Sequence, residues 1–238
     1  MTARILPCGA RALTVELSDR ISEEINAAVI ALADDLAGRP IPGVEETVPT
    51  YRSLMVLYDP AIVRGKALGA ALLERLRGLK ADAAGHRRFR VPVVYGGAAG
   101  EDLDALAAMK EMAPDELIAL HSSAEYRVYM IGFAPGFAYL GGLPERLHTP
   151  RLPAPRQRIE AGAVGIGGQQ ASISSVAGPS GWRFIGQTPV RLFDPVRPQP
   201  FLLAAGDRIQ FRPVGAEEAR DIAAYIASGG TGMEEVAA

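Results

Sequence analysis

The sequence predicts an α+β protein of two domains, in which a layer of helices and strands precedes a barrel or sandwich of short strands. Three observations support this prediction. The chain has 238 residues, which is long for one domain and suits two smaller ones. Helical and strand periodicities alternate over about the first ninety residues. From residue 125 onward, short apolar runs are separated by frequent glycine and proline residues.

The first domain is predicted to span residues 1–85 and to be ferredoxin-like. Leu13, Val15 and Leu17 alternate with polar residues, which indicates a half-buried strand. A helical stripe follows and comprises Ile21, Ile25, Val29, Leu32 and Leu36. Two more strands, a second helix and a strand at Arg88–Tyr95 complete the order β-α-β-β-α-β, which is typical of a ferredoxin-like layer. The domain boundary is expected between residues 81 and 91, with a linker at residues 81–86.

The second domain is predicted to span residues 86–238. Two short helices at residues 101–112 and 115–121 come first. The apolar runs that follow are short and closely spaced, at residues 127–131, 162–166, 171–175, 189–193 and 208–211. Such runs favour an all-β barrel or sandwich. A last helix is predicted at Ala216–Ala227.

Composition and charge exclude several classes of protein. The 25 basic and 27 acidic residues leave a net charge of −2, whereas nucleic-acid-binding domains are usually basic, so no nucleic-acid partner is expected. No apolar run is long enough for a membrane span and the first residues lack the apolar core of a signal peptide, so no membrane partner is expected. Cys8 is the only cysteine, which rules out an intrachain disulfide and is consistent with a cytoplasmic location.

Familiar catalytic signatures are missing. The chain has no Walker-type phosphate loop, no nucleophile elbow and no HExxH zinc motif. The three histidines are far apart in sequence, so no metal site is expected.

The first segment that stands out is a glycine-rich stretch with several aromatic residues, at residues 132–142. It contains Phe133, Pro135, Phe137 and Tyr139. Glycine allows a close approach of the backbone to a ligand or partner, and aromatic rings supply large apolar contact area. These residues are therefore candidates for partner binding. A barrel corner whose aromatic rings fill the core is an equally good interpretation.

The second segment, residues 145–160, is basic and rich in proline. His148, Arg151, Arg156 and Arg158 lie in it with no acidic residue between its terminal glutamates, and three prolines favour an ordered loop. Arginine presents a planar fork that suits carboxylate or phosphate, and histidine can act as a general acid or base near neutral pH. The alternative is a solvated loop with local salt bridges.

The third feature is a pair of glycine-containing segments, residues 165–170 and 178–182. Gly167 and Gly168 could present backbone N–H groups to an anion, and Gln169 and Ser180 could bind a polar substrate. Trp182, the only tryptophan, is a candidate for partner binding or for the core. Hairpin turns are the simpler interpretation and are favoured.

At these segments the chain resembles one known family. The matching motifs are Gly132-Phe-x-Pro-Gly-Phe-x-Tyr-Leu-Gly-Gly-Leu-Pro, Leu147-His-Thr-Pro-Arg-Leu, Gly162-x-Val-Gly-Ile-x-Gly, Gly181-Trp-x-x-Ile-Gly-x-Thr-Pro, Leu192-Phe-Asp and Gly206-Asp-x-Ile-x-Phe. They resemble the 5-oxoprolinase B-subunit family, also called allophanate hydrolase subunit 1 or the Kip-type inhibitor of a sporulation histidine kinase. The resemblance covers nearly the whole chain and is strongest over residues 91–214.

The resemblance implies a cyclophilin-like β-barrel after the ferredoxin-like domain. It also implies a heteromeric complex with a chain like the 5-oxoprolinase C subunit and, for the full reaction, with the A subunit. These three proteins together are expected to hydrolyse 5-oxoproline to glutamate with ATP, accompanied by Mg²⁺, bound in the complex. Relatives bind a histidine kinase or form part of urea carboxylase, so a regulatory inhibitor and a carboxyltransferase or allophanate hydrolase-related subunit of urea degradation are alternatives.

One stretch departs from the family pattern. Where the family usually has Thr-Gly-Ile-Tyr-Pro, this chain has Ala-Ser-Ile-Ser-Ser at residues 171–175, and Ser180 replaces a glycine in the loop that follows. If the missing tyrosine contacts substrate, the substrate specificity differs here.

The leading hypothesis is therefore a non-autonomous hydrolase subunit that is inactive alone. His148 and Arg156 are predicted to be catalytic, with His148 moving a proton. The anionic phosphate and substrate groups are predicted to contact Arg151, Arg158, Gly167, Gly168, Gln169 and Ser180.

Overall fold

The computed structural model describes residues 3–79 and 87–236. The chain divides into two compact units, Met1–Gly85 and His86–Ala238, and each has a hydrophobic core of its own. The linker predicted at residues 81–86 lies outside the described residues.

Over residues 3–79, the first unit is a four-stranded antiparallel sheet with two helices. Its elements in chain order are β1 (Arg4–Pro7), β2 (Ala12–Glu16), α1 (Glu23–Gly38), β3 (Val44–Pro49), β4 (Ser53–Tyr58) and α2 (Gly65–Gly78). The strand order across the sheet is β1-β2-β4-β3. Alternate apolar residues of β2 and β4, such as Val15 and Val56, pack against apolar residues of the helices, such as Leu32 and Leu68. This alternation buries one face of the sheet.

The predicted order of the first unit needs one correction. The strand Arg88–Tyr95 was expected to complete the ferredoxin-like layer, but it belongs to the second unit. Its place beside β2 is taken by β1, which pairs with β2 in an antiparallel hairpin from Arg4↔Glu16 to Pro7↔Leu13. The first unit therefore keeps a ferredoxin-like sheet order while it supplies the last strand from its own N-terminal end.

The described part of the second unit, residues 87–236, is a β-barrel with three α-helices. The elements are β5 (Arg88–Tyr95), α3 (Leu103–Met109), α4 (Pro114–Ser123), β6 (Glu125–Ile131), β7 (Ala138–Gly141), β8 (Arg156–Ile159), β9 (Ala163–Gly167), β10 (Gln170–Ile173), β11 (Gly178–Ser180), β12 (Arg183–Gln187), β13 (Arg208–Pro213), α5 (Ala216–Ala227) and β14 (Glu234–Val236). The predicted last helix is confirmed at its predicted bounds. The run predicted at residues 189–193 is not a strand and makes only an isolated bridge between Phe193 and Phe201.

The barrel closes through pairing of β5 with two strands. The strand order is β12-β9-β10-β7-β6-β13-β5, and β12 pairs back to β5 through Gly186↔Tyr95 and Gln187↔Val94. The β5–β13 pair is parallel, and β14 adds to the other end of β5. The interior is filled by apolar side chains that include Val91, Val164 and Phe211. The predicted fold class, α+β with a closed cyclophilin-like barrel, is confirmed.

A small two-stranded sheet lies outside the barrel order. It consists of β8 and β11, which pair from Ile159↔Gly178 to Arg156↔Ser180, and we call it the flap. The prediction of a loop over residues 145–160 is therefore wrong at its end, because Arg156–Ile159 is a strand. Separately, no helix within residues 3–79 and 87–236 has the length and apolar character needed to cross a membrane.

Candidate functional site

The candidate site begins on the outer face of strand β7. Ala138 and Leu140 point into the barrel core, whereas Phe137 and Tyr139 belong to a separate apolar cluster on the other side of the wall. The ring of Phe137 lies 4.7 Å from that of Tyr139 and 6.2 Å from that of Trp182, centroid to centroid. Because side chains alternate along the strand, the two faces of the barrel wall carry different sets of residues.

Phe133 extends this row of rings into solvent. Its side chain is 77% exposed, and its ring centroid lies 5.6 Å from that of Phe137. Its φ of 67° lies in the left-handed region, where a bulky residue is strained by about 1–3 kcal/mol. The neighbouring turn is tied down by a hydrogen bond from the Ser175 hydroxyl to the Pro135 carbonyl at 2.5 Å. We call Phe133, Phe137, Tyr139 and Trp182 the aromatic row.

A pocket of about 170 Å³ opens beside the aromatic row. Its walls come from the turn that follows β6, from the segment between β10 and β11, and from the flap. The side chains that define it are Phe133, Phe137, Ile159, Ser174, Val176 and Ser180. No charged residue is among the described residues that line it. The pocket therefore suits an uncharged group with apolar surface.

Arg151 lies at the other end of the aromatic row. Its guanidinium carbon is 4.8 Å from the centroid of the Trp182 ring, which is a cation–π contact. Gly167 permits this packing, because a Cβ atom there would come within 2.8 Å of the Trp182 ring. Burial raises the pKa of Tyr139, and the nearby Arg151 partly opposes that rise. Arg151 makes no ion pair with a carboxylate in the part of the chain described.

Arg156 occupies a different setting. Its guanidinium binds both carboxylate oxygens of Asp102, at 2.7 and 3.0 Å, and its Nε lies 2.7 Å from a carboxylate oxygen of Glu101. The hydrogen bond to Asp102 is the main cause that raises the pKa of Arg156. Asp102 also accepts the backbone N–H of Phe184 at 2.6 Å. Arg156 thus ties the flap to the barrel, and its predicted catalytic role stays a prediction.

Arg158 and His148 also have local partners. Arg158 is exposed and pairs with Glu160 at 2.8 Å. The Nε2 atom of His148 lies 3.0 Å from the Leu143 carbonyl, to which it donates as an N–H group, and the Lys110 ammonium donates to the His148 carbonyl. Among the described residues, no hydrogen bond joins His148 to any of the three arginines, so the structure does not assemble the predicted basic cluster as one site.

The predicted glycine nest is partly used by the backbone itself. The N–H of Gly168 donates to the Thr149 carbonyl at 2.7 Å, and the Thr149 N–H donates back at 2.9 Å. Gln169 is exposed on the turn between β9 and β10. Ser180 accepts the Trp182 backbone N–H at 3.3 Å and lines the pocket. The anion-binding roles of these residues stay predictions.

The structure brings together several residues that sequence reasoning did not single out. None of the quoted sequence motifs includes Asp102, Ile159 or Val176. The sequence did point to Ser174, because it stands where the family pattern has tyrosine. Of the predicted partner-binding residues, Phe133 and Pro135 are exposed, while Phe137 and Trp182 are buried beneath them. Within residues 3–79 and 87–236, no three His, Cys, Asp or Glu side chains converge as metal ligands.

Comparison with known proteins assigns the chain to a carboxyltransferase-domain family. Residues 3–203 match the family model described as "Carboxyltransferase domain, subdomain C and D". A solved structure, that of TTHA0988, superimposes with a TM-score of 0.78 at 36% identity and covers 87% of this chain. This chain spans only 40% of the TTHA0988 chain.

Two curated relatives narrow the assignment. A protein of Bacillus subtilis, named as the B subunit of 5-oxoprolinase, is 38% identical over 224 residues, which is 89% of this chain and 93% of the relative. The protein of the same name from Escherichia coli O157:H7 is 39% identical over 216 residues, 89% of this chain and 96% of the relative. The chain belongs to the 5-oxoprolinase B-subunit family, and the resemblance noted in the sequence is confirmed.

Proposed function

We propose that this chain is a non-autonomous subunit of an ATP-dependent 5-oxoprolinase, which opens the lactam of 5-oxoproline to give glutamate. The observation that carries the proposal is the match to relatives named as 5-oxoprolinase B subunits over about nine-tenths of the chain, at 38 and 39% identity. Membership of this family implies a complex with other subunits. The partners proposed here are a chain like the 5-oxoprolinase C subunit and the 5-oxoprolinase A subunit.

The chemistry explains why ATP is required. A lactam carbonyl is a poor electrophile, so transfer of the ATP γ-phosphoryl group to its oxygen creates a better leaving group and releases ADP. Attack by one water at that carbon, with cleavage of the ring C–N bond to free the amine, leaves an acyl phosphate, and a second water then displaces phosphate from it to give glutamate. Positively charged groups that stabilise the developing anion are the expected protein contribution. ATP and its Mg²⁺ are proposed to bind in the complex.

Among the predicted arginines, Arg151 is the best candidate for an anionic group. Arg156 and Arg158 each bind carboxylates in the described structure, whereas Arg151 is exposed and its guanidinium lies over the Trp182 ring. Arginine on an aromatic face can still donate in its plane to carboxylate or phosphate. Of these three arginines, only Arg151 therefore keeps an anion-binding role in this proposal.

The partner surface is proposed to be the exposed end of the aromatic row. Phe133 and Pro135 project from the barrel, and a large exposed aromatic residue in a strained turn is typical of a contact site. The length of TTHA0988 supports a partner, because the related module there is joined to further sequence in one polypeptide.

The test is reconstitution. Co-expression with the neighbouring subunits is expected to give glutamate formation that depends on both ATP and 5-oxoproline, while the purified chain alone is inactive. Arg151→Ala is expected to lower kcat/KM of the complex at least ten-fold, and Arg158→Ala to leave it unchanged. Turnover by the single chain would contradict the non-autonomous role, and an inactive full complex would contradict the reaction.

The two alternatives from the sequence stay predictions. A kinase inhibitor would also use an exposed aromatic surface, so pull-down against a sensor histidine kinase and against the C subunit separates these functions. A urea-degrading carboxyltransferase would require a biotin-linked partner.

A further inference from the structure

Trp182 and Arg151 pack together on Gly167. The Arg151 guanidinium carbon lies 4.8 Å from the centroid of the Trp182 ring. A Cβ atom at Gly167 would lie 2.8 Å from the same ring and 3.2 Å from the Arg151 Cγ atom, so both side chains pack directly against this glycine. Trp182 is 6% exposed, whereas Arg151 is exposed. The ring is therefore a buried support for a cation that faces solvent.

Hydrogen bonds fix the two chain segments that carry these side chains. The N–H of Leu152 donates to the Gly181 carbonyl at 2.7 Å, which joins the segment of Arg151 to the segment of Trp182. The Trp182 N–H donates to the Ser180 hydroxyl oxygen at 3.3 Å. The guanidinium and the ring are thus held against each other by the backbone as well as by their own contact.

The ion pair between Asp102 and Arg156 anchors the residues that follow the ring. The Asp102 backbone N–H donates to the Phe184 carbonyl at 3.0 Å, and its carboxylate accepts the Phe184 N–H at 2.6 Å. Arg156 binds that carboxylate at 2.7 and 3.0 Å and also donates to the Trp182 carbonyl at 3.4 Å. The position of Trp182 therefore depends on Asp102 and Arg156, although neither forms a hydrogen bond or ion pair with Arg151 among the described residues.

An aromatic support suits an arginine that binds an anion. An arginine side chain has several rotatable bonds, and ordering them when a ligand arrives weakens binding. The face of an aromatic ring attracts the guanidinium and orders it beforehand. Unlike the carboxylates that bind Arg156 and Arg158, the Trp182 ring leaves the positive charge of Arg151 unneutralised.

We propose that Trp182 is a positioning residue for Arg151, and that Asp102 and Arg156 hold Trp182 in place. Trp182 orders the Arg151 guanidinium where an anionic group binds and does not contact that group itself. The anion-binding role of Arg151 rests on the proposed function, whereas the packing of Arg151 on Trp182 rests on geometry alone. Arg156 acts in this proposal through Trp182 and not by contact with the reacting atoms.

The first test is steady-state kinetics of the reconstituted complex with ATP and 5-oxoproline. Trp182→Phe keeps an aromatic face and is expected to stay within about two-fold of the wild-type kcat/KM, whereas Trp182→Leu lacks that face and is expected to lower it about five-fold or more. In an Arg151→Ala background, Trp182→Leu is expected to have no further effect. Arg146→Ala, which removes an exposed arginine paired with Glu116, is the control and is expected to leave kcat/KM unchanged.

This double-mutant cycle separates positioning from a structural role. A general loss of structure acts independently of Arg151, so a Trp182→Leu effect of the same size with and without Arg151 would overturn the proposal. Equal kcat/KM values for the phenylalanine and leucine variants would overturn it as well.

The role of Asp102 is tested by the same kinetics. Asp102→Asn keeps the shape of the side chain but removes its charge, and it is expected to lower kcat/KM in the wild-type background and to have no effect in the Trp182→Leu background. An undiminished effect in the Trp182→Leu background would show that Asp102 does not act through Trp182.

The second test does not require the reaction. Trp182 is the only tryptophan, so quenching of its fluorescence in the purified chain reports the charge beside its ring. Arg151→Ala is expected to lower the ratio of iodide to caesium quenching about two-fold or more, because the Arg151 cation attracts iodide and repels caesium. Arg146→Ala removes one positive charge elsewhere in the second unit and is expected to leave the ratio unchanged.

Failure of this proposal is distinguishable from failure of the proposed function. A quenching ratio that Arg151→Ala leaves unchanged would overturn the positioning of Arg151 by Trp182, whatever the activity of the complex. A complex without 5-oxoprolinase activity, formed by a chain whose quenching ratio depends on Arg151, overturns the reaction and supports the packing of Arg151 on Trp182.

Discussion

The inner and outer faces of the barrel wall differ although the same strands build them. In β7, Ala138 and Leu140 face a core of branched aliphatic and aromatic side chains, and both are fully buried. Phe137 and Tyr139, one position away, face the aromatic row, where a pocket remains and Phe133 is exposed. The inner face consists of buried side chains that stabilise the fold, whereas the outer face has a pocket and exposed apolar surface that are available for binding.

The largest expected effect on stability comes from a substitution on the inner face of the barrel wall. Leu140→Ala removes a fully buried side chain from the barrel core and is expected to lower the free energy of unfolding of the barrel unit by about 2–5 kcal/mol. Phe133→Ala on the outer face removes an exposed ring and is expected to change it by less than about 0.5 kcal/mol. Denaturant unfolding measures both. Equal losses of unfolding free energy in the two variants would show that the outer face contributes to stability as much as the inner face does.

The next effect concerns the tie between the flap and the barrel. Asp102→Ala removes both hydrogen bonds from Arg156 to this carboxylate and leaves the buried N–H of Phe184 without its carboxylate acceptor, so a loss of about 2–3 kcal/mol is expected. Trp182 fluorescence is expected to change as well, because Arg156 also donates to the Trp182 carbonyl. Glu101→Ala, which removes the more exposed partner of Arg156, is the control. A larger loss in the control would assign the tie to Glu101.

A third prediction concerns the pH dependence of stability, which depends on His121 in the core of the second unit. His121 is fully buried, stacks on Phe211 at 4.6 Å and has its Nδ1 2.8 Å from the Tyr95 hydroxyl. Burial lowers the pKa of His121 to about 3. Its unfolded form takes up a proton near pH 6.5, so stability is complete above that pH and falls as the pH decreases, by about 2 kcal/mol between pH 7 and 5.

The matched variant isolates this contribution. His121→Gln keeps a polar group beside Tyr95 but cannot titrate, so its stability is expected to vary less between pH 7 and 5 than that of the wild type. Unfolding curves across this range measure the difference. The same slope in both proteins would assign the pH dependence to other groups.

The smallest effect on stability lies at the end of the aromatic row. Arg151→Ala removes an exposed cation–π contact, for which about 0.5–1 kcal/mol is expected. Arg158→Ala, on an exposed ion pair, is expected to leave the melting temperature unchanged. The two variants sharpen the comparison because only Arg151 is expected to change catalysis by the complex. A similar loss of activity in both would place the anion site across the whole basic segment.

Much of the fold could be predicted from local sequence patterns. The stripe from Ile25 to Leu36 forms α1, and Ala216–Ala227 forms α5, because amphipathic periodicity is a local property. Strand β1 was missed because its four residues at the sheet edge show no alternation of burial. Strand β8 was missed because arginine and glutamine expose most of it, so its sequence is typical of a loop.

The candidate site was predictable in part. The motifs located the aromatic row and Ser180, because aromatic and glycine residues at close spacing are visible in the sequence. The pairing of Arg156 with Asp102 joins residues 54 positions apart, and nothing local indicates it. The pocket at Ser174 depends on which face of β10 each side chain occupies, and only the strand register settles that.

In the first unit, the edge strand next to β2 is β1, from the start of the chain, and this affects the order in which the two units can fold during synthesis. Because β1 supplies that strand, every strand of the first sheet has been translated by Tyr58 and the second helix by Gly78, so this unit can acquire its structure while the ribosome still makes the rest. The barrel has to wait, since β5 pairs with β13, which follows about 120 residues later. Until those partners are made, β5 is an apolar segment without its strand partners, which exposes it to association with other chains or to binding by a chaperone.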